Sequence, residues 1–305
     1  MKFLITGGSG FIGKYLVKEL SKLKNSKIYV LDKIKFDFKK KNIFFIKGDL
    51  NKFDTLKKIN VKIDYIYHLA AELGVKKIIN FPEESLNNNL ETTKNIIRFA
   101  KSKKKIKRIF FFSTSEVYSR LNKIGMMNEN DSLILPNINH PRTSYWLSKI
   151  CGEFLIIRSK VPYTIFRVFN IYGHNTKRTH VIPSIFNKLK NNKKPLFENP
   201  NHSRCFLYID DAIYFFVKAL NLSFKNQTVN IANPNEEIKI KDLVDKIKKI
   251  LGTNKKIRYK NIKNLSISRR MPSIVKLKKL IRKKFKFTKL HQGLMLLNKY
   301  YENKN

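Results

Sequence analysis

Lys2-Phe3-Leu4-Ile5-Thr6-Gly7-Gly8-Ser9-Gly10-Phe11-Ile12-Gly13 is the stretch whose reading decides the fold. Lys2 to Thr6 is a short apolar run and reads as a strand. Phe11 to Leu23 carries apolar residues at helical spacing. Between them the glycines fall as G-x-x-G-x-x-G. Gly7 permits a tight turn, Gly10 lets backbone approach a pyrophosphate, and Gly13 lets helix pack on strand. Phosphates then rest on the helix N-terminus at Phe11 and Ile12, where free N–H groups and the dipole favour anions. A glycine pattern alone is weak, but its place between the first strand and the first helix makes it strong. Asp32 agrees with it. It ends Ile28-Tyr29-Val30-Leu31-Asp32, close to the offset at which an acid takes the ribose hydroxyls of NAD. A carboxylate there repels the extra phosphate of NADP. Lys33 softens that repulsion, and the reading favours NAD. The bland alternative, a glycine turn followed by a surface Asp, explains one feature at a time and not both.

Outward from that stretch the first half alternates strand and helix. Lys27 to Leu31, Ile43 to Lys47, Tyr65 to Leu69, Ile109 to Ser113 and Thr164 to Phe169 read as strands. Ser85 to Ala100 and Thr143 to Ser159 read as helices. Ile109-Phe110-Phe111-Phe112 has no polar interruption, as in parallel strands covered on both faces. Such alternation predicts an α/β fold with a doubly wound parallel sheet. After about residue 174 the rhythm changes. Asn191 to Ser203 reads as a loop, and Ile240 to Leu251 and Leu290 to Tyr301 as helices. The expected division is a dinucleotide-binding domain over 1–174 that carries the catalytic residues. A smaller, discontinuous substrate lobe covers 175–305, with some segments returning to the first domain.

The 305 residues carry 64 Lys and Arg against 22 Asp and Glu, a formal charge of +42. Lysines are scattered along the chain, beside abundant Asn, Ile and Phe, which favours codon bias over a polyanion-binding role. A positive field still speeds capture of an anionic substrate. Cys151 and Cys205 lie far apart and read as small buried hydrophobes, in keeping with a reducing cytoplasm. The N-terminus lacks a signal-peptide pattern, and no apolar run suits a membrane span. The expectation is a cytoplasmic protein without membrane insertion. The six histidines show no metal spacing, so no metal is expected.

Tyr145-Trp146-Leu147-Ser148-Lys149 has the spacing Y-x-x-x-K. Residues four apart share a helix face, so Lys149 lies beside the Tyr145 phenol and pulls its pKa down towards the working pH. Alone, the pair is an ordinary amphipathic face. Its value comes from following Ser113-Thr114-Ser115-Glu116-Val117-Tyr118. Those hydroxyls emerge at the carboxyl end of a buried strand, where ligands bind in open α/β sheets.

With these residues the sequence resembles an extended short-chain dehydrogenase/reductase of the NAD-dependent epimerase/dehydratase family. Ordered pieces carry the resemblance over nearly the whole chain. They are the glycine motif, Asp32, Gly48-Asp49-Leu50, His68-Leu69-Ala70-Ala71, Asn89 to Asn95, Thr114 to Tyr118, and Tyr145 with Lys149. Arg167 to Gly173, Arg204 to Asp211 and Arg270-Met271-Pro272-Ser273-Ile274 complete the series. The resemblance implies a Rossmann-type sheet, NAD as cofactor and a nucleotide-diphosphate sugar as substrate. It implies that Asp49 and Leu50 meet the adenine end, and that Leu69, Ala70 and Ala71 line the cofactor's middle. Thr114 would hold the sugar C4 hydroxyl, Tyr145 take its proton, and Lys149 hold the nicotinamide ribose. Arg142, Asn170, Arg204 and Arg270 would bind the substrate, the guanidinium forks suiting phosphate. A homodimer built on the two long helices is implied as well.

In Thr114-Ser115-Glu116 the order of Thr and Glu resembles sugar-nucleotide 4,6-dehydratases and UDP-glucuronate decarboxylases. Glu116 beside a 4-keto sugar would remove the C5 proton; otherwise it is a strand-end carboxylate facing solvent. The expected activity is sugar-nucleotide epimerisation or dehydration through a transient 4-keto sugar, in nucleotide-sugar and surface polysaccharide biosynthesis. A UDP-glucuronate decarboxylase is the alternative. A non-catalytic RNA-binding or redox-sensing protein on a dehydrogenase fold is the alternative of another class. The intact Thr114, Tyr145 and Lys149 argue against that last one, and nucleic acid is not an expected partner. The chain departs from the family at Thr92, Ser119, His174 and Glu198-Asn199-Pro200, the last replacing a glycine-rich turn.

Overall fold

The computed structural model describes residues 1–103, 105–118, 125–135, 137–262 and 267–303. The chain runs β1 (Lys2–Thr6), α1 (Phe11–Leu20), β2 (Lys27–Asp32), β3 (Ile43–Lys47), α2 (Phe53–Lys57), β4 (Tyr65–His68), α3 (Val75–Asn80) and α4 (Pro82–Ser102). There follow β5 (Arg108–Thr114), α5 (Thr143–Arg158), β6 (Tyr163–Val168), β7 (Asn170–Tyr172), α6 (Val181–Asn191), β8 (Leu196–Glu198), β9 (Ser203–Tyr208) and α7 (Ile209–Lys218). The last elements are β10 (Gln227–Ile231), β11 (Glu237–Lys239), α8 (Ile240–Ile250), β12 (Arg258–Lys260), β13 (Arg269–Arg270), α9 (Val275–Ile281) and α10 (Leu290–Glu302).

Contacts divide the chain into two units. One comprises Met1–Ser119, Ser132–Val168 and Ile213–Asn230; the other comprises Arg120–Asp131, Phe169–Ala212 and Ile231–Asn305. The first holds a seven-stranded sheet in the order β10-β6-β5-β4-β1-β2-β3. β1 to β6 pair in parallel. This is the doubly wound order, and its direction reverses between β1 and β4, where such sheets bind ligands. β5 shows why the sheet is covered on both sides, because side chains alternate along a strand. Phe111 joins Leu4, Ile66, Ile96, Phe99 and Ile156 in one apolar cluster. Phe110 and Phe112 enter an aromatic layer with Tyr67, Phe166 and Phe216. Each such burial is worth roughly 1.5–3 kcal/mol. Arg108, buried at the start of β5, donates to Ala219 O (2.6 Å) and Asn221 O (2.9 Å), carbonyls just beyond α7. A cation there complements the negative end of the helix. α4 starts at Pro82 with Glu83 and Glu84 in its first turn and Lys101 in its last, as the helix dipole favours.

In the second unit β9 pairs with β7, β11 and β13, while β8 pairs with β12. Leu243, Val244 and Ile247 of α8 and Leu290, Leu294 and Leu297 of α10 are buried there. The stretch Asn191 to Ser203, expected as a loop, contains β8. Its three residues pair with a strand some sixty positions on, and no local pattern announces that. At Asn199 the backbone takes φ 49°. Asparagine tolerates this left-handed region better than most residues, so it makes the turn that glycines make in the family's pattern. His174, another departure, stacks on Tyr300 at 4.4 Å. Ser119 lies outside the described residues. No helix among those described is long and apolar enough to cross a membrane.

Candidate functional site

The cofactor end of the first unit is built on β1, α1 and β2. Gly7 takes φ +71°, and a Cβ there would lie 2.7 Å from Ala70 N and 2.9 Å from its Cα. The turn therefore abuts the backbone that leaves β4. A Cβ at Gly13 would meet Gly7 O at 2.5 Å and Gly8 Cα at 2.6 Å, so α1 sits directly on the turn. Gly10 is the N-cap of α1. A Cβ there would approach only Gly7 O, at 3.2 Å. The first turn of α1, with Phe11, Ile12 and Gly13, has neither an acidic residue nor a side-chain cap. Its N–H groups suit a phosphate.

Asp32 accepts the Ser9 N–H at 2.9 Å and the Ile34 N–H at 3.0 Å, one on each oxygen. The carboxylate is thus fixed at the end of β2. Lys33, which sequence suggested as relief for an extra phosphate, instead pairs with Asp49 at 3.1 Å. Asp49 Oδ1 also accepts the Asn51 N–H at 2.9 Å. Leu50 is buried, its carbonyl bound by Asn95 Nδ2 at 3.0 Å. The Leu69 N–H donates to Thr6 O at 3.1 Å and the Ala70 N–H to Thr6 Oγ1 at 3.4 Å, which holds the strip Leu69-Ala70-Ala71 against β1. A glycine cradle, an open helix terminus and a fixed acid fit NAD. A 2′-phosphate would face the Asp32 carboxylate.

The catalytic candidates of this unit meet where β5 ends. Thr114 Oγ1 accepts the Glu116 N–H at 3.2 Å, and the Thr114 side chain lies beside the Tyr145 phenol on α5. Burial, and then the Glu116 carboxylate, push the Tyr145 phenol well above its usual range. The Thr114 side chain and the Arg142 charge act the other way. Lys149 is not among the groups that lower it, contrary to the sequence reading. Its buried ammonium donates to Phe112 O at 2.8 Å and lies 6.0 Å from the Tyr145 ring centroid. The i, i+4 spacing brings the two side chains together, but the strand-end carbonyl takes the ammonium. Burial also pulls Lys149 down to about 8, which Glu153 opposes. Gly152 sets this packing: a Cβ there would strike the Phe111 ring at 2.6 Å, so α5 rests close against β5.

Glu116 does not face solvent freely. Arg142 Nη2 donates to its Oε1 at 3.2 Å and its Oε2 at 3.3 Å, and the Trp146 indole N–H donates to Oε2. Trp146 was not singled out in the sequence. Its neighbours in the chain give no sign that it reaches Glu116. Glu153 was missed too, although it lies four residues beyond Lys149, the very spacing that pairs Lys149 with Tyr145. His68 is buried between Thr6 Oγ1 (2.8 Å) and Thr93 Oγ1 (3.4 Å). Among the described residues no group of three or more His, Cys, Asp or Glu is placed to hold a metal.

In the second unit the three remaining candidates gather around β9. Asn170 Nδ2 donates to Cys205 O at 3.2 Å. Arg204 on β9 lies in register with Arg270 on β13, and both are buried. Arg204 Nη1 donates to Ser203 O at 2.7 Å and Ser268 O at 3.2 Å.

A glycine turn at the switch point of a parallel sheet, with a fixed acid ending the second strand, defines a dinucleotide-binding α/β protein. Residues 3–232 match the NAD dependent epimerase/dehydratase family. The chain belongs to that family. It is 35% identical over 283 residues to dTDP-D-glucose 4,6-dehydratase of Dictyostelium discoideum. The match takes in 82% of this chain and 62% of that protein, so the chain spans less than two thirds of that relative. It is 29% identical over 297 residues to UDP-N-acetyl-alpha-D-glucosaminuronate decarboxylase of Bacillus cytotoxicus, covering 91% and 90%. The crystal structure of UDP-glucuronic acid 4-epimerase from Bacillus cereus, in complex with UDP-glucuronic acid and NAD, superposes with a TM-score of 0.88. That match covers 100% of both chains at 25% identity. The family resemblance, the doubly wound Rossmann-type sheet and NAD as the family's cofactor, all expected from the sequence, agree with these findings.

Proposed function

We propose that this chain is an NAD-dependent enzyme that modifies nucleoside-diphosphate sugars through a transient 4-keto sugar. One observation carries the reading. Tyr145 on α5 lies beside Thr114, at the end of β5, with Lys149 four residues on along the same helix, on the sheet whose first turn holds Gly7 to Gly13. Tyr145 Oη takes the proton of the sugar C4 hydroxyl, and Thr114 Oγ1 holds that hydroxyl. NAD, when bound, supplies the hydride acceptor. Lys149 holds the nicotinamide ribose, while Thr114 and the Arg142 charge act on the Tyr145 phenol against burial and Glu116. Asn170, Arg204 and Arg270 bind the diphosphate. Glu116 exchanges a proton at C5, which the ketone acidifies. The homodimer and the cytoplasm are the assembly and compartment of this reading.

The setting of Glu116 favours a second reading. Both its oxygens carry donors, from Arg142 and Trp146, which stabilise the charged carboxylate and oppose its taking a proton from C5. A UDP-glucuronate decarboxylase reaction avoids that step, because loss of carbon dioxide leaves the electron pair at C5 with no base. Mass spectrometry of products from a panel of UDP-, GDP-, CDP- and dTDP-sugars tests both. Tyr145→Phe is expected to lower turnover about 10²–10⁴-fold. Wild-type turnover in that variant overturns the mechanism, and carbon dioxide release from UDP-glucuronate selects the second reading.

A further inference from the structure

Arg142 is the N-cap of α5, already in helical conformation and three residues before Tyr145, so the two share a helix face. A single nitrogen, Nη2, serves both Glu116 oxygens, at 3.2 Å and 3.3 Å. Among the described residues Nε and Nη1 donate to nothing, and the side chain is 25% exposed, so solvent reaches it. An arginine that served only to neutralise Glu116 would present its flat edge, with two parallel N–H···O bonds. Trp146 explains why it need not. Its buried indole N–H donates to Glu116 Oε2, and its ring lies 5.6 Å from the guanidinium. Trp146 thus meets part of what the carboxylate requires, and most N–H donors of Arg142 remain for another anion.

The place of Arg142 says which anion. In the proposed reaction Thr114 and Tyr145 take the sugar at C4, and Glu116 stands at C5. Arg142 is joined to Glu116 and is the next charged group along, so it stands by the substituent at C6. The candidates for the diphosphate, Asn170, Arg204 and Arg270, gather instead around β9 of the second unit. We propose that Arg142 is a specificity-determining residue that binds a carboxylate at C6, which makes the substrates nucleoside-diphosphate hexuronates. The proposal rests on the reading in which Tyr145 works at C4. A C6 hydroxyl offers Arg142 one neutral acceptor, whereas a C6 carboxylate accepts two charge-assisted hydrogen bonds from it. Glu116 repels that second carboxylate, and the guanidinium between the two offsets the repulsion.

The test compares UDP-glucuronate with UDP-glucose, which differ only at C6, by calorimetry on the NAD-loaded protein. The wild type is expected to bind UDP-glucuronate about tenfold or more tightly. Arg142→Met is expected to abolish that preference while leaving the affinity for UDP-glucose nearly unchanged. Arg142→Lys keeps the charge but not the fork and is expected to retain part of it. A merely structural Arg142 predicts a lower melting temperature with the preference unmoved, and that result overturns the proposal. So does a wild type that binds the two sugar nucleotides alike, or binds neither. If Arg142→Met does not fold, Arg142→Lys decides alone, and a preference kept there in full overturns the proposal. Binding needs no turnover, so a misplaced C6 contact is told apart from a failure of the Tyr145 mechanism in the sugar-nucleotide panel.

Discussion

His68 shows at the scale of one residue how the site's architecture governs the protein's response to acid. Burial, reinforced by the Lys149 ammonium, draws it from 6.5 to about 3. Between those values the unfolded chain holds a proton that the folded chain lacks. Stability from this group is therefore full above about 6.5 and is lost as pH falls towards 3. One proton corresponds to about 1.4 kcal/mol per pH unit, or roughly 2 kcal/mol between pH 6.5 and 5. Urea unfolding at the two pH values is expected to show that loss in the wild type. In His68→Asn, the fall over the same interval is expected to be smaller by that amount; an equal fall in both proteins refutes the account. Residues of this kind were partly legible. Gly7, Asp32 and Tyr145 act through chain-local spacing, which sequence displays. Glu116 acts through Arg142 and Trp146, about thirty positions away, and their meeting depends on how the turn after β5 lies against the start of α5.

At the scale of elements, the glycine turn separates packing from ligand approach. A methyl group at Gly13 would collide with the backbone of Gly7 and Gly8, whereas one at Gly10 would crowd only Gly7 O. Gly13→Ala must therefore push α1 off the turn, at a cost of about 1–3 kcal/mol for overpacking. Gly10→Ala leaves the fold nearly untouched but puts a methyl group where a pyrophosphate approaches. The expected result is a lowered melting temperature in Gly13→Ala alone, and NAD affinity weakened about tenfold or more in both, measured by calorimetry. A Gly10→Ala protein that binds NAD as the wild type does would remove the phosphate from this turn. The strands β1 to β6 were legible because each is an apolar run, buried in all but the edge strand β3, and the helices α1, α4 and α5 because their apolar residues repeat along the helix. β10 was not: Gln227 to Ile231 alternates little, and it joins the sheet beside β6 only after the intervening chain has left for the second unit. β8 and β13, of three and two residues, exist through their partners and have no signal of their own.

At the scale of the whole molecule the charge of +42 and the proposed homodimer bear on each other. α4 and α5 pack together in the first unit, and the outer side of α5 exposes Phe154 (60%) and Ile157 (41%), three residues apart on one face. A two-fold interface brings a patch against its own copy, so apolar side chains meet their like and so do cations. Lys94, Arg98, Lys101 and Arg158 line the groove between these helices. Their repulsion across the axis opposes the apolar contact and is screened by salt, with a Debye length of about 10 Å at 0.1 M and about 3 Å at 1 M. Association is therefore expected to tighten as salt is raised, the reverse of an interface held by opposite charges. Light scattering at micromolar protein should give a dimer mass that becomes more complete between about 0.05 and 0.5 M salt. Phe154→Asp, exposed in the single chain, should leave the melting transition in place while giving a monomer. A monomeric mass for the wild type at both salt concentrations, or a dimer that Phe154→Asp leaves intact, would show that this helix pair is not where two copies meet.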